Sequence, residues 1–333
     1  MSSVPSAAAR LWIVIVNYRT AGLAIDCLHS LAAELAQFAS MRTVLVDNAS
    51  GDGSVETLQA AIERQGWQQW ASVIAAERNG GFAYGNNVGI AEALRAPHRP
   101  DYVMLLNPDT IVHAGAIRAL VDFMDAHPRA GIAGSLLENA EGGTDCSAHN
   151  AFSPIGELVA GASLGIVARA FSRYDVSPPS RAAAHECDWV SGASLMVRTP
   201  VFEKTGLMDE QYFLYFEEAD FCVRVREAGW QVWFVPESRV VHLEGAATGI
   251  REVVRRRPRY WYESRRRYFI KHFGVAGLLL ADVLWAAGRL SLAVRRLLRL
   301  GSGGRTPDPK WYARDLLGGD LRAFFDGRTW QIR

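Results

Sequence analysis

The chain has 333 residues, with 36 Lys and Arg against 35 Asp and Glu, 49% apolar residues and 21% charged. That composition excludes a disordered chain, a collagen-like repeat and a disulfide scaffold, and the length allows one large α/β domain with an appendage or two modest domains. The net charge of +1 hides a segregation: residues 1–250 carry 17 basic and 28 acidic residues, residues 251–333 carry 19 and 7, so the C-terminal region calls for an anionic partner of its own, a membrane surface or a nucleic acid.

Taken in chain order, continuously apolar runs at 11–16, 42–47, 72–76 and 102–107 alternate with helix-like segments near 21–36, 54–65, 85–95 and 113–126. The first run is six residues long, follows a single Arg10 and lacks a small-residue cleavage site, so it reads as a strand and not as a signal peptide. Strands without polar alternation, separated by helices of this length, predict βαβ units and a parallel sheet covered on both faces. Ligands of such sheets sit at the carboxyl ends of the strands. Those ends carry Asn17 and Tyr18, Asp47 and Asn48, and Asn107, Pro108 and Asp109. Residues 135–185 are rich in Gly, Ala, Ser and Pro with poor periodicity, and read as long loops that shape an acceptor site. A strand at 188–198, a helix at 216–229 and a strand at 231–236 follow. Cys27, Cys146, Cys187 and Cys222 lie far apart without CxxC spacing, as expected of free thiols in a reducing cytoplasm.

The block NGGFAYGNNVGI at 79–90 holds four glycines and three asparagines, yet its spacing is neither GxGxxG nor GxxxxGK[ST]. The exit of the first strand, NYRTAG, has no glycine pair to admit a pyrophosphate, which disfavours a nicotinamide dehydrogenase or a P-loop NTPase. It also lacks the glycine-rich basic loop of a sugar-phosphate nucleotidyltransferase. A carboxylate such as Asp47 can accept a base N–H and Tyr18 can stack on the ring. Asp109, fixed by Pro108 after an apolar strand, suits Mg²⁺ or Mn²⁺ bridging two phosphates. Turn and helix capping would account for Asp47 and Asp109 equally well.

Glu217, Glu218 and Asp220 stand at a helix start behind the aromatic run YFLYF. The helix dipole alone favours acids there. Like charges among aromatics also raise at least one pKa and suit a general base, with Arg224 four residues after Asp220 able to pair with it. His242 ends an apolar strand, as a packed histidine or as a metal ligand beside Asp109.

Residues 251–300 contain thirteen Arg or Lys and three acids, interleaved with Tyr260, Trp261, Tyr262, Tyr268 and Phe269. The apolar stretch 275–288 is fourteen residues, broken by Asp282, and shorter than a bilayer requires. Apolar residues recurring with Arg289, Arg295, Arg296 and Arg299 predict amphipathic basic helices lying in an anionic membrane interface. Packing of these helices on the body of the protein, or in a homodimer, is the alternative. No recognised motif accompanies the charge, so no nucleic-acid partner is expected.

Together VIVNYR at 14–19, VDNASGDGS at 46–54, NGGFAYGNNVGI at 79–90, LLNPDT at 105–110, SGASLMVR at 191–198 and FLYFEEADFCVRVREAGW at 213–230 span roughly 240 residues. In order and spacing they resemble glycosyltransferase family 2, the inverting nucleotide-sugar transferases of the GT-A fold. Within it the chain is most similar to rhamnosyltransferase-type enzymes of bacterial cell-surface polysaccharide synthesis. The resemblance implies a Rossmann-like, mostly parallel sheet flanked by helices over 1–250, with a basic amphipathic helical extension over 251–333.

It also implies roles. Asp47 contacts uracil or thymine, Val16, Asn17 and Tyr18 line the base pocket, and Asn86 and Asn87 lie along the nucleotide or sugar. Asp109 is the last acid of a DxD-like motif whose first acid is here Asn107, and holds Mg²⁺ or Mn²⁺ with His242. The segment GAATG at 245–249 departs from the commoner glycine-serine ending. Glu218 occupies the position of the family's catalytic base, one methylene longer than the usual Asp, with Glu217 and Asp220 as the alternatives. The expected reaction moves a sugar, L-rhamnose from dTDP-rhamnose or a sugar from another dTDP or UDP donor, to a hydroxyl of a lipid-linked or glycan acceptor. The expected location is the inner face of the bacterial cytoplasmic membrane. The competing class is a catalytically idle nucleotide-sugar-binding or scaffold protein, against which the intact Asp109 and acidic cluster argue.

Overall fold

The computed structural model describes residues 10–38, 40–179, 181–243, 256–298 and 309–327. The segment GAATG, Arg299 and a boundary at residue 250 lie outside these. The first half reads β1 (Leu11–Asn17), α1 (Ala21–Ala32), β2 (Arg42–Asp47), α2 (Ser54–Gln65), β3 (Ala71–Ala75), α3 (Gly81–Arg95), β4 (Tyr102–Leu106), β5 (Thr110–Val112), α4 (Ala116–Ala126) and β6 (Ala130–Glu138). Then come β7 (Ala148–His149), α5 (Pro154–Ala162), α6 (Gly165–Ala170), β8 (His185–Glu186), β9 (Trp189–Val190), β10 (Ser194–Arg198), α7 (Thr199–Thr205), α8 (Glu217–Glu227), β11 (Gln231–His242), α9 (Arg259–Leu297) and α10 (Tyr312–Phe325).

The main sheet runs β3-β2-β1-β4-β10-β6-β11-β5, with β8 added on β11. Its first four strands are parallel, as their unbroken apolar runs require. β10 enters antiparallel between β4 and β6, while β11 lies parallel to β6. Helix α3 approaches β1 closely because a Cβ on Gly85 or Gly89 would stand 2.6 Å from Val16 or 2.4 Å from Val14. Gly85 and Gly89 therefore serve close packing of helix on strand.

Two expectations change in the middle of the chain. The region 135–185, expected as long loops, contains the end of β6 and the helices α5 and α6. Small residues hid them: a Cβ on Gly134 would meet Val190 at 2.6 Å, and one on Gly161 would meet the Trp285 carbonyl at 2.6 Å. The strand expected at 231–236 runs on to His242. Pro236, which cannot donate to a ladder, is absorbed by a register shift between Val235 and Arg239.

The C-terminal region is one 39-residue helix, α9, interrupted at Gly274 (φ 68°), followed by α10. Its Tyr268, Phe269, Leu278 and Ala281 join the core cluster that also holds Val14, Val103 and Phe221. Several arginines of this region are spent within the protein. Arg265 is fully buried, with Glu157, Asp282 and Asp320 at 3.3, 2.9 and 3.2 Å, and Arg267 reaches Asp209 at 2.7 Å. The fourteen-residue apolar run lies inside a longer helix whose most apolar 18-residue window has mean hydropathy 1.5, so by length and composition alone α9 could cross a membrane. One third of that window is buried inside the protein.

Candidate active site

The strand ends of β1 and β2 build one wall. Asn17 Nδ2 donates to Asp47 Oδ1 at 2.7 Å, Ser50 Oγ donates to the same oxygen at 2.6 Å, and Ser50 N donates to Oδ2 at 3.0 Å. A carboxylate offers about four acceptor positions, so Asp47 keeps one, on Oδ2, for a ligand N–H. Ser50 also receives the Arg19 N–H at 2.9 Å and its carbonyl receives Arg19 Nε at 3.1 Å. Arg19 and Ala49 both have positive φ, 59° and 55°, strain of the kind that gathers at ligand sites. The exposed Tyr18 ring carries the Arg19 guanidinium 5.1 Å from its centroid. Val16 packs its side chain on Gly85 and offers only backbone to this wall.

Asn86 and Asn87 are occupied inside the protein. Asn86 Nδ2 donates to the Phe82 carbonyl of its own helix at 2.9 Å. Asn87 Nδ2 donates to Met208 O and Glu210 Oε1, and its Oδ1 accepts from Met208 N. Asn87 thereby ties α3 to the segment ahead of α8.

At the end of β4 the structure brings Asn107, Asp109 and His242 together. The register of β11 on β5 pairs His242 with Thr110, which sets His242 Nε2 3.3 Å from Asp109 Oδ1 and 3.3 Å from Asn107 Nδ2. Asn107 Oδ1 and Asp109 Oδ1 are buried and accept no hydrogen bond within the protein. Two orphaned buried oxygens beside an imidazole suit a divalent cation of the Mg²⁺ or Mn²⁺ kind that takes few protein ligands and completes its shell with phosphate oxygens. Among the described residues no cluster of three His, Cys, Asp or Glu forms a fuller metal cage.

The third wall is the start of α8. Asn107 N donates to Ala193 O at 2.9 Å, and the adjoining Gly192 lies against Glu218, a Cβ there falling 3.7 Å from Glu218 Cβ. The SGA turn at 191–193 thus links the Asn107 corner to Glu218. Tyr215 and Phe216, directly before α8, both have positive φ, 71° and 70°. Two bulky residues in that region store strain that the surrounding packing must hold. Part of the hold is Gly81, whose own φ is 84° and where a Cβ would fall 1.8 Å from the Phe213 carbonyl, the acceptor of the Phe82 N–H at 2.8 Å. Gly81→Ala is expected to cost about 1–3 kcal/mol in backbone strain before any clash is relieved, and to reduce turnover by moving the 213–216 segment. Paired melting and rate measurements check this, and an unchanged Tm and rate would contradict the close contact.

The three acids of α8 fall into two groups. Glu217 and Glu218 each leave Oε2 without a hydrogen bond. Burial, and then the charge of Glu218, pushes Glu217 well above the ordinary carboxyl range, and burial also raises Glu218. Asp220 differs. Burial alone would raise it, but His272, Lys271 and Arg224 outweigh burial and hold it below the ordinary range. Arg224 Nε, Lys271 Nζ and His272 Nε2 stand 3.0, 2.9 and 2.9 Å from its oxygens, and Tyr212 OH donates at 3.3 Å. A fully buried carboxylate so enclosed is an anchor for α9. Sequence reasoning missed Ser50, Gly192, Lys271 and His272, whose partners are distant in the chain. Only Ser50, three residues after Asp47, carried a local signal, that of an Asx turn.

The sequence profile described as "Glycosyltransferase like family 2" matches residues 9–264. The chain belongs to that family. The glycosyltransferase is 30% identical over 223 residues, 62% of this chain and 67% of the relative, to the N-acetylglucosaminyl-diphospho-decaprenol L-rhamnosyltransferase of Mycobacterium tuberculosis. It is 24% identical over 277 residues, 82% of this chain and 83% of the relative, to the dTDP-rhamnosyl transferase RfbF of Shigella flexneri. In fold it resembles the mannosyltransferase PcManGT of Pyrobaculum calidifontis, solved with GDP-Man and Mn²⁺, with a TM-score of 0.54, 15% identity, and coverage of 98% of this chain and 84% of that one. The expected GT-A architecture and glycosyltransferase activity are thus borne out.

Proposed function

We propose that this glycosyltransferase moves L-rhamnose from dTDP-rhamnose to a hydroxyl of a sugar on a lipid diphosphate, with inversion at the anomeric carbon. The observation that carries the chemistry is the half-buried Glu218, its Oε2 without a hydrogen bond, joined through Gly192 and Ala193 to the corner of Asn107, Asp109 and His242. Glu218 takes the acceptor O–H proton as that oxygen bonds to the anomeric carbon. The bond from carbon to diphosphate breaks, and the nucleoside diphosphate leaves with the electron pair. Asp109, Asn107 and His242 would hold Mg²⁺ or Mn²⁺, which supplies neutralisation of the charge building on the diphosphate. Asp47 and Tyr18 take the base, Asp47 through its remaining acceptor position on Oδ2. The rhamnosyl donor and the lipid-linked acceptor are supported by the names of the mycobacterial and Shigella relatives.

Incubation with dTDP-rhamnose and UDP-sugars against an N-acetylglucosaminyl-diphospho-prenol, with the anomeric configuration of the product read by NMR, tests the reading. Transfer of another sugar alone, or retention of configuration, would overturn it.

The same reading places the enzyme on a membrane surface. On α9 Leu279, Leu280, Val283, Leu290, Val294 and Leu297 are exposed at spacings that keep them on one side, opposite the buried Leu278, Asp282, Trp285 and Leu292. An exposed apolar stripe suits a membrane interface, with Arg296 exposed in the last turn of α9, whereas Arg289 and Arg295 turn inward to Ser163 Oγ and the Ala162 carbonyl at the end of α5. Leu280→Glu with Val283→Glu is expected to abolish flotation with phosphatidylglycerol vesicles while leaving the melting temperature within a few degrees. Undiminished flotation would refute the assignment.

A further inference from the structure

Five arginines, Arg256 and Arg257 just before α9, Arg259 and Arg266 on α9 and Arg322 on α10, line a cavity of roughly 600 Å³ between the start of α9 and α10. Two carboxylates, Glu263 and Asp315, share the lining and leave an excess of positive charge. Three of the arginines are paired: Arg256 with Asp315 at 2.6 Å, Arg259 with Glu263 at 2.7 Å, and Arg266 with Asp320 at 2.6 Å. Arg257 and Arg322 have no carboxylate within salt-bridge distance among the described residues. Arg257 Nε is also buried without a hydrogen-bond partner, its guanidinium held 4.2 Å over the Trp261 ring. A guanidinium held against an indole in the wall of an open volume, with no carboxylate partner, is arranged to receive a planar or tetrahedral oxyanion, for which its fork geometry is matched.

The cavity also touches the catalytic segment through its own helix. Trp261 packs on Phe216 at 5.7 Å, Tyr260 packs on Phe213 at 5.2 Å, and Ser264 Oγ donates to Leu214 O at 3.0 Å. The first turns of α9, which follow Arg257, therefore pack against the strained segment that leads into Glu217 and Glu218.

We infer that this cavity is a diphosphate-binding site, distinct from the donor site, that takes the diphosphate of the lipid-linked acceptor. For the source of the diphosphate the inference rests on the acceptor reading above. The site itself does not, so failure of rhamnosyl transfer would leave it standing.

Inorganic pyrophosphate titrated calorimetrically into the full chain in EDTA tests the site. Saturable binding is expected, weakened at least tenfold in Arg257→Gln/Arg322→Gln, with dTDP affinity in Mn²⁺ unchanged. A second variant guards against misfolding. Gly319→Glu removes no contact and sets a carboxylate at the wall, the nearest atom to its Cβ being Arg266 Nη2 at 3.4 Å, and the same weakening is expected. Absence of binding, or wild-type affinity in both variants, overturns the inference. Neutral vesicles doped with polyprenyl diphosphate are compared with vesicles of equal charge made with phosphatidylglycerol. Loss of retention by the variants on the first alone supports the lipid-linked source, and loss on neither assigns a soluble diphosphate to the cavity. Equal loss on both overturns diphosphate recognition in favour of a general headgroup contact.

Discussion

Glu218→Gln is expected to lower kcat by roughly 10²–10⁴, the usual contribution of a positioned general base, while leaving nucleotide affinity within a factor of two or so. The amide keeps the size of the side chain and removes only its ability to take a proton. Glu217→Gln is expected to keep most of the turnover. Burial and the charge of Glu218 both push the Glu217 carboxyl up, so in the pair it is Glu217 that stays protonated and Gln resembles the form already present. The pH profile gives a second check. Burial raises Glu218 as well, so the acid limb of kcat/KM should lie above the value near 4.3 of a free glutamate, with activity lost as pH falls through the folded value. Turnover retained by Glu218→Gln and lost by Glu217→Gln would exchange the two roles.

The sign of the Glu217 shift also bears on stability. A carboxyl whose folded value lies above its unfolded value contributes stability that is complete below the unfolded value and is lost as pH rises through the folded one. Carrying two such acids at the head of α8 costs stability at neutral pH, together with the positive φ of Tyr215 and Phe216. The cost falls where the chemistry is placed, and contacts from other elements offset it: Gly81 on the Phe213 carbonyl, Asn87 on Met208, and Ser264 on Leu214.

What was legible in the sequence follows the range of the interactions. The parallel strands β1, β2 and β4 were readable because burial on both faces leaves a local trace, an unbroken apolar run. Asp47, Asp109 and Glu218 were readable for a similar reason: each sits where a strand or helix meets a turn. β6 and α5 were not, because their packing is carried by Gly131, Gly134, Gly156 and Gly161, and a missing side chain has no periodicity. His242 reaches Asp109 only because β11 resumes pairing past Pro236, a tertiary outcome that overrides the local stop signal. The division of labour within the acidic cluster was hidden most deeply. Arg224 stood within one helical turn of Asp220 and was visible, but Lys271 and His272 arrive from about fifty residues downstream. Charge segregation pointed the basic tail outward, whereas part of it closes on the acidic body.

Asp220→Asn is the substitution expected to cost the most stability, about 3–5 kcal/mol, the penalty of leaving buried charges without their partner. The Asp220 carboxylate is fully buried, and Arg224, Lys271 and His272 converge on it while each is itself at least three-quarters buried. For a chain of this size that corresponds to a fall in Tm of roughly 10 °C. The pH dependence has a definite sign. Because the folded value lies below the unfolded one, the stabilisation is present above about pH 3.9 and disappears as pH falls through the folded value, so wild type and variant should converge in strong acid. Lys271→Met in the Asp220→Asn background should recover part of the loss, since removing both members of a buried pair is far less costly than removing one. The folded fraction of Asp220→Asn should keep the wild-type acid limb in its pH profile, which belongs to Glu218. An unchanged Tm with abolished turnover would instead make Asp220 a catalytic acid or base, and would reverse the assignment of α9 as the element that Asp220 anchors.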